Sequence, residues 1–265
     1  MVNLHSQPQW KREETNDNIP LMLFHSTHVI NMPTTETLQK GDLEFEVSHR
    51  FVPTIQNGIK NMFGFDGPAN IKLGLSYGIT DNLLLGLNRT NVNDNYELFI
   101  KHRFIEVEDS DLPFVIGVKT SVALNSEVLG KKTFASENFQ YYLTIIFNTM
   151  YEKKIALGFV PSLLINSYLP GINKNYSIIF GTYLQYYLSP SFSLATEWSP
   201  TFYGIRNKYN SLSFGFELET GGHFFKIILT NNQNLNLSQF LGGADIPSTF
   251  DNWRIGFNIT RLLKL

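Results

Sequence analysis

Residues 70–80 read NIKLGLSYGIT, and apolar side chains occupy every second position of this stretch. One set of alternate positions is apolar and comprises Ile71, Leu73, Leu75, Tyr77 and Ile79. The other set is small or charged and comprises Lys72, Gly74, Ser76 and Gly78. Because successive side chains of a β-strand point to opposite faces, this period of two predicts a strand with one apolar face and one polar face.

The same alternation recurs from Asp42 to the end of the chain. In the last run the apolar face comprises Trp253, Ile255, Phe257, Ile259, Leu263 and Leu265, whereas the polar face comprises Arg254, Gly256, Asn258, Thr260 and Lys264. Arg261 and Leu262 are exceptions. The pattern predicts twelve strands, near residues 42–53, 70–80, 82–91, 95–107, 112–124, 139–151, 154–166, 176–188, 192–203, 210–220, 223–232 and 252–265.

The joins between these strands alternate in length. They are tight at residues 80–81 and 221–222 and long at residues 53–69 and 233–251. Two joins are exceptions: the one near Asn93 is short, and the one at residues 108–111 is of intermediate length. Short periplasmic turns that alternate with longer outer loops are typical of outer-membrane barrels. We therefore expect an all-β fold, a single closed antiparallel transmembrane β-barrel of about 12 strands with a short irregular N-terminal segment.

The predicted domain organisation has two parts. Residues 42–265 form the outer-membrane β-barrel, and residues 1–41 form an N-terminal periplasmic lead-in or partial plug. The first residues, MVNLHSQPQWKREETNDN, are polar and lack the succession of basic, apolar and small residues that marks a signal peptide. A bacterial outer-membrane location therefore requires a leader that has been removed from this chain.

Composition excludes several other classes of protein. The chain has 265 residues and a formal net charge of -2, without the basic excess of a nucleic-acid-binding protein. Cysteine is absent, which excludes thiolate zinc sites and disulfides. Apolar runs are much shorter than the roughly 18 residues of a membrane helix. Aromatic residues are abundant at 14% and charged residues sparse at 17%, which favours strands over disorder.

Several segments of the chain resemble an uncharacterised Bacteroidota outer-membrane β-barrel family that is known only as a domain of unknown function. These segments are STHVINMPTTETLQKGDLEFEVSHRF (26–51), YGITDNLLLG (77–86), ETGGHFFKIILTN (219–231) and GFNITR (256–261). The resemblance implies a barrel and an outer-membrane location, and it supplies no activity and no catalytic residues.

The alternation assigns thirteen charged residues to the lumen as candidate pore-lining groups: Glu44, Glu46, Arg50, Lys72, Glu97, Lys101, Arg103, Lys119, Glu197, Glu217, Glu219, Lys226 and Arg254. A strongly selective pore favours a ring of one sign, whereas these signs are nearly balanced. Mixed signs on neighbouring strands favour ion pairs across the lumen. Inward aromatic residues narrow the bore further, namely Phe99, Tyr142, Tyr183 and Tyr187. A wide porin is therefore not expected.

Histidines raise the question of a metal or hydrolase site. His49 and His102 fall on the outward face of strands that are not neighbours, so they are not expected to converge. Ser48, the serine next to His49, is predicted to point inward, which disfavours a Ser-His pair. His25 and His28 could bind a metal only if the N-terminal segment folds back. We expect no enzyme activity, no metal and no cofactor.

Two functions remain open from sequence. The leading hypothesis is a narrow channel or passive transporter for small solutes, with the loop near residues 231–252 covering it in part. The alternative is a closed barrel that acts as a structural or partner-binding membrane anchor. A lipocalin-like carrier ranks third, because its apolar face points inward. The expected partners are outer-membrane lipid and either small solutes or a periplasmic protein, and not nucleic acid.

Overall fold

The computed structural model describes residues 21–109, 111–129, 131–167 and 176–264. Residues 1–20 of the predicted N-terminal segment and Leu265 of the last predicted strand lie outside the described residues. The strands are β1 (Leu43–Phe51), β2 (Ala69–Thr80), β3 (Leu83–Thr90), β4 (Asn95–Val107), β5 (Phe114–Asn125), β6 (Phe139–Tyr151), β7 (Ile155–Ile165), β8 (Tyr176–Ser189), β9 (Phe192–Ser199), β10 (Thr201–Tyr203), β11 (Ser211–Glu219), β12 (His223–Thr230) and β13 (Arg254–Leu263). One short helix, α1 (Leu237–Phe240), lies in the join between β12 and β13.

The strands form one closed antiparallel sheet. Apart from β10, each strand pairs with the next strand along the chain, and β9 pairs with β11. The pairing of β1 with β13 closes the ring. β10 is a three-residue continuation of β9 that also pairs with β8, beyond Pro200. Because proline has no N–H to donate, it interrupts the ladder at this point. The predicted closed barrel of twelve strands is confirmed, with β10 as one extra short strand among the described residues.

Exposure follows the predicted period of two. On β2, Leu73 and Leu75 point outward and are 45% and 49% exposed, whereas the inward Lys72 and Ser76 are 7% and 8% exposed. An apolar outside around a polar inside is the arrangement of a membrane barrel and the reverse of a lipocalin-like carrier. No helix in the described ranges is long and apolar enough to span a membrane.

The barrel has two different ends. At one, which we call the turn end, lie the short joins after β2, β4, β6, β8 and β11, together with the start of β1 and the end of β13. At the other, which we call the loop end, lie the joins after β1, β5, β7, β10 and β12, which are longer, and the short join after β3. Because neighbouring strands are antiparallel, each of the twelve main strands runs from one of these ends to the other.

Two segments outside the sheet fill the barrel. Residues 21–41, which we call the finger, enter the lumen from the turn end and return to it. Residues 231–253, which we call the cap segment, include α1 and enter from the loop end. Buried side chains of both segments belong to a single apolar cluster with the lumen wall, and they include Leu23, Phe24, Ile30, Met32, Leu237 and Phe240.

Candidate functional site: the filled lumen

The finger is a re-entrant chain whose two limbs meet in a tight bend. The backbone N–H of Thr34 donates to the carbonyl of Thr27 at 3.1 Å, and the N–H of Val29 donates to the carbonyl of Met32 at 2.9 Å. The bend at residues 28–33, which we call the tip, is the part farthest along the chain from both roots. At the turn end, Gly41 donates to the carbonyl of Gly78 at 2.8 Å. The finger is therefore rooted at the turn end and closed on itself inside the barrel.

Glu197 of β9 holds the tip through its backbone. One carboxylate oxygen accepts hydrogen bonds from the N–H groups of Ile30, Asn31 and Met32 at 2.6 to 2.8 Å. The other oxygen accepts from the N–H and the side-chain amide of Asn31 at 3.0 and 3.2 Å. Buried backbone N–H groups require partners, and the tip has no ladder to supply them. A single carboxylate therefore supplies the hydrogen-bond acceptors that the backbone carbonyls of a neighbouring strand supply in a sheet.

Cationic side chains satisfy carbonyl groups within the tip and on either side of it. The Lys226 ammonium donates to the carbonyls of His28 and Val29, both at 2.6 Å. The Lys101 ammonium donates to the carbonyls of Thr27 and Thr34 at 3.0 and 3.2 Å, so it ties the two limbs together. These are charge-assisted hydrogen bonds, which are stronger than bonds between neutral groups.

Two buried ion pairs of the wall adjoin the finger. Lys226 lies 3.1 Å from Glu217, and the same carboxylate accepts from Ser26 and contacts His25, each at 3.2 Å. Lys72 lies 2.7 Å from Glu46. The imidazole Nε2 of His28 is 3.6 Å from that second carboxylate and has no hydrogen-bond partner among the described residues. Each carboxylate thus serves both the wall and the finger.

The returning limb makes a second set of polar contacts. The side-chain oxygen of Asn148 accepts from the N–H and the hydroxyl of Thr35 at 2.8 and 2.9 Å. Glu36 accepts from the N–H groups of Leu23 and Phe24 on the other limb at 2.8 and 3.1 Å. The Arg103 guanidinium lies 3.7 Å from the Glu36 carboxylate. The finger is consequently braced internally as well as against the wall.

An apolar strip of the wall faces the remaining side of the finger. Strands β6, β7 and β8 present fully buried inward side chains there, namely Ile146, Ala156, Val160, Leu164 and Ile179. Phe24 packs edge-on against Tyr183 with ring centroids 5.5 Å apart. At Gly181 an added Cβ would lie 2.1 Å from the terminal methyl of Met32, so this glycine makes the room that the methionine occupies.

The cap segment packs into the lumen from the loop end. Glu97 of β4 accepts from the N–H of Ser238 at 2.8 Å and from the hydroxyl of Tyr142 at 3.2 Å. Arg254 forms a bidentate ion pair with Asp245, with nitrogen–oxygen distances of 2.7 and 2.8 Å. The cap segment and the finger meet in the apolar cluster, so the described residues fill the lumen from both ends.

The thirteen charged residues from the sequence analysis divide by what they contact. Eight contact the finger: Glu44, Glu46, Arg50, Lys101, Arg103, Glu197, Glu217 and Lys226. Glu97 and Arg254 bond to the cap segment, and Lys72 pairs with Glu46. The Lys119 ammonium lies 3.8 Å from the ring centroid of Phe99, and Glu219 accepts from the N–H of Gly222 at the turn end. A pore-lining role for the set stays a prediction.

Uncharged side chains of the wall also hold the finger, a role that sequence reasoning did not assign to them, although it placed Tyr183 and Asn258 on the inward face. Asn258 donates to the carbonyl of Ile30 at 2.8 Å, and the Tyr183 hydroxyl donates to the carbonyl of Pro33 at 2.9 Å. Asn148 likewise holds Thr35. All three fall on inward positions of the alternation, so a search for polar inward residues of every kind, charged or neutral, is the signal that finds them.

The histidines do not assemble into a metal site in the described part of the chain, where no three His, Asp or Glu side chains converge for a metal. His49 stacks on Phe257 of the neighbouring strand on the outer face, with ring centroids 4.5 Å apart. His102 also lies on that face, and its Nδ1 is 2.9 Å from the carbonyl of Arg103. His25 and His28 point instead to the separate carboxylates of Glu217 and Glu46.

Solved structures with similar folds are bacterial outer-membrane barrels. The NanC porin has a TM-score of 0.50 at 12% identity, over 84% of this chain and 99% of the porin. An outer membrane channel from Pseudomonas putida F1 has a TM-score of 0.51 at 11% identity, over 86% of this chain and 98% of the channel. Outer membrane phospholipase A from Escherichia coli has a TM-score of 0.45 at 12% identity, over 85% and 91% of the two chains. At these identities the likeness concerns the fold alone.

No curated protein matches the chain significantly. A family model described as a membrane bound beta barrel domain matches residues 24–263, which include most of the finger, the cap segment and all thirteen strands. The chain thus belongs to the membrane bound beta barrel domain family DUF5777.

Proposed function

We propose that this chain is an outer-membrane channel for small polar solutes whose lumen is closed by its own finger. One observation carries the proposal: the finger fills the lumen without contributing a strand to the sheet. Each of the twelve main strands, all but the short β10, has two strand neighbours, and no strand pairs with the described part of the finger. Withdrawal of the finger therefore leaves the hydrogen-bonded wall intact, which a closed barrel requires in lipid.

The contacts that hold the tip are of a kind that water can replace. Glu197 and Lys226 bond to the backbone of the tip, and Lys101 bonds to the residues that flank it. Each is a charged group that is well solvated when exposed. A lumen vacated by the finger is lined on one side by these groups of both signs. Such a lining favours small polar solutes without strong charge selectivity. No catalytic step forms part of the proposal.

The channel proposal can be tested by conductance in a planar lipid bilayer, with a disulfide that reversibly fixes the finger to the wall. The ideal Cβ of Gly117 lies 3.5 Å from the Cγ2 of Thr35, within the reach of a disulfide. The T35C/G117C pair has no native cysteine to compete with it. In a background in which E197Q loosens the tip, we expect single-channel steps under reducing conditions and their loss on oxidation. Wild-type protein should conduct rarely.

A closed barrel that acts as a membrane anchor is the second candidate, and the apolar strip favours it. Ile146, Val160 and Ile179 are fully buried against the finger, and an open lumen would expose them to water. If the E197Q barrel is folded and hydrogen exchange shows a mobile finger, yet the bilayer stays silent, the channel proposal fails and the anchor stands. In that case the N-terminal segment, residues 1–41, would be offered to a periplasmic protein. A Bacteroidota source for the chain is likewise a proposal that rests on the resemblance of its segments.

A further inference from the structure

The join between β1 and β2 presents large apolar side chains away from the barrel. Ile59 is 81% exposed, and Met62, Phe63 and Phe65 are each about half exposed. Lys60 and Asp66 are the only charged residues between Val52 and Pro68. Surface clusters of apolar side chains of this size mark contacts with a membrane or a protein.

The backbone of this join is held in a conformation that exposes these side chains. Met62 and Phe63 have φ values of 46° and 55°, in the left-handed region that bulky residues rarely adopt. The N–H of Phe63 nevertheless donates to the carbonyl of Gly58 at 2.8 Å, so the turn is closed. A strained turn of two bulky residues persists only where its surroundings compensate for it.

The position of the join relative to the wall identifies what covers it. Phe65 packs edge-on against Phe51 with ring centroids 4.8 Å apart, and Phe51 is an outward residue at the loop end of β1. Phe51 in turn lies 6.4 Å from Phe257 on the outward face of β13. The apolar residues of the join thus extend the lipid-facing surface of the wall, rather than lie over the mouth of the barrel.

We propose that residues 59–65 insert into the interfacial zone of the lipid bilayer at the loop end and anchor that rim of the barrel. Two ties fix the depth. Val52 donates to the carbonyl of Pro68 at 2.9 Å at the base of the join, and Ile55 donates to the carbonyl of Trp253 at 2.8 Å. Phe250, 84% exposed, lies in the segment that contacts residues 55–57 and extends the same apolar rim. Aromatic residues are enriched at this level of membrane proteins.

Fluorescence in vesicles tests the proposal, and the absence of native cysteine makes a single label straightforward. I59C carries an environment-sensitive fluorophore in vesicles of phosphatidylcholine and phosphatidylglycerol, with or without bromine near the headgroup end of the acyl chains. We expect a blue-shifted emission, a loss of intensity with brominated lipid, and protection from aqueous iodide. F63C should give the same result, and I59C is exposed enough to leave folding unaffected.

K208C is the matched control, because Lys208 is exposed in another join of the loop end. Its label should be quenched by iodide and not by brominated lipid. The proposal is overturned if the label on I59C behaves like this control, which means that the join lies in water. It is equally overturned if the emission ignores bromine and changes with the protein-to-lipid ratio, which means that a second copy of the chain covers the join.

Discussion

Both carboxylate oxygens of Glu197 accept a hydrogen bond from the backbone N–H of Asn31, at 2.8 and 3.0 Å. These residues lie 166 positions apart in sequence, one on the barrel wall and one at the tip of the finger. The same carboxylate also serves the N–H groups of the residues on either side of Asn31. The tip is thus bound by its backbone, which makes its position depend on the wall more than on its own side chains.

Substituting Glu197 should release the tip and leave the barrel folded. In E197Q one carboxylate oxygen becomes an amide that faces backbone N–H groups as a donor. We expect faster hydrogen exchange at Ile30 and Met32, with unchanged heat-modifiable gel migration. E97Q is the matched control, because that buried glutamate bonds to Ser238 of the cap segment. In E97Q, hydrogen exchange should become faster in the cap segment only. Equal effects of E197Q and E97Q on the tip would contradict the claim that Glu197 holds it.

Removing the cation at Lys226 should destabilise the barrel more than removing both members of its ion pair with Glu217. K226M leaves the Glu217 carboxylate buried without its partner 3.1 Å away. Breaking a buried pair in this way costs about 3–5 kcal/mol. We expect that loss in the free energy of unfolding, measured by urea titration in lipid vesicles. The double variant K226M/E217Q should recover part of it, whereas strictly additive effects would show that the two residues are not coupled.

Filling the space at Gly181 should displace Met32. Because an added Cβ would lie 2.1 Å from the methionine methyl, G181L overfills the apolar side of the finger. Overpacking of this kind costs about 1–3 kcal/mol. Urea titration should show the loss, and M32A in the same chain should restore stability by vacating the space. A G181L variant as stable as wild type would mean that Met32 is not packed against β8.

Labelling of intact cells should separate the two ends of the barrel. Lys132 lies exposed in the join after β5 at the loop end, and Lys154 lies exposed in the turn after β6 at the turn end. If the turn end is periplasmic, K132C should react with an impermeant thiol reagent and K154C should react only after the cells are broken. The reverse pattern would invert the topology, and the finger would then enter from the cell surface.

The wall could be predicted from sequence because its information is local. The alternation among a few adjacent residues is enough to predict that Leu73 points outward and Lys72 inward. The predicted strand at 70–80 corresponds to β2, which runs from Ala69 to Thr80. Proline has an equally local effect. The strand predicted at 192–203 is broken at Pro200 into β9 and β10, because the residue lacks the N–H that the ladder needs.

The filling of the lumen could not be predicted in the same way. The tip sequence HVINMP, residues 28–33, has no period, and its conformation is fixed by contacts with residues more than 160 positions away. The alternation shows which wall residues are charged, and their mixed signs favour other side chains across the lumen as partners. Lys101 and Lys226 bond mainly to backbone carbonyls. Because every residue has a backbone carbonyl, the sequence does not show which ones accept these bonds.

Cross-linking of the finger to the wall tests the central claim most directly. In membranes that contain the T35C/G117C chain, mild oxidation should form the disulfide, because Thr35 Cγ2 lies 3.5 Å from the ideal Cβ of Gly117. Mass spectrometry of the digested protein should then find the two cysteine peptides joined, while T35C/K154C, with its second cysteine on a turn outside the lumen, stays unjoined. If both thiols of T35C/G117C remain reduced and open to alkylation in the folded barrel, the finger does not lie inside it.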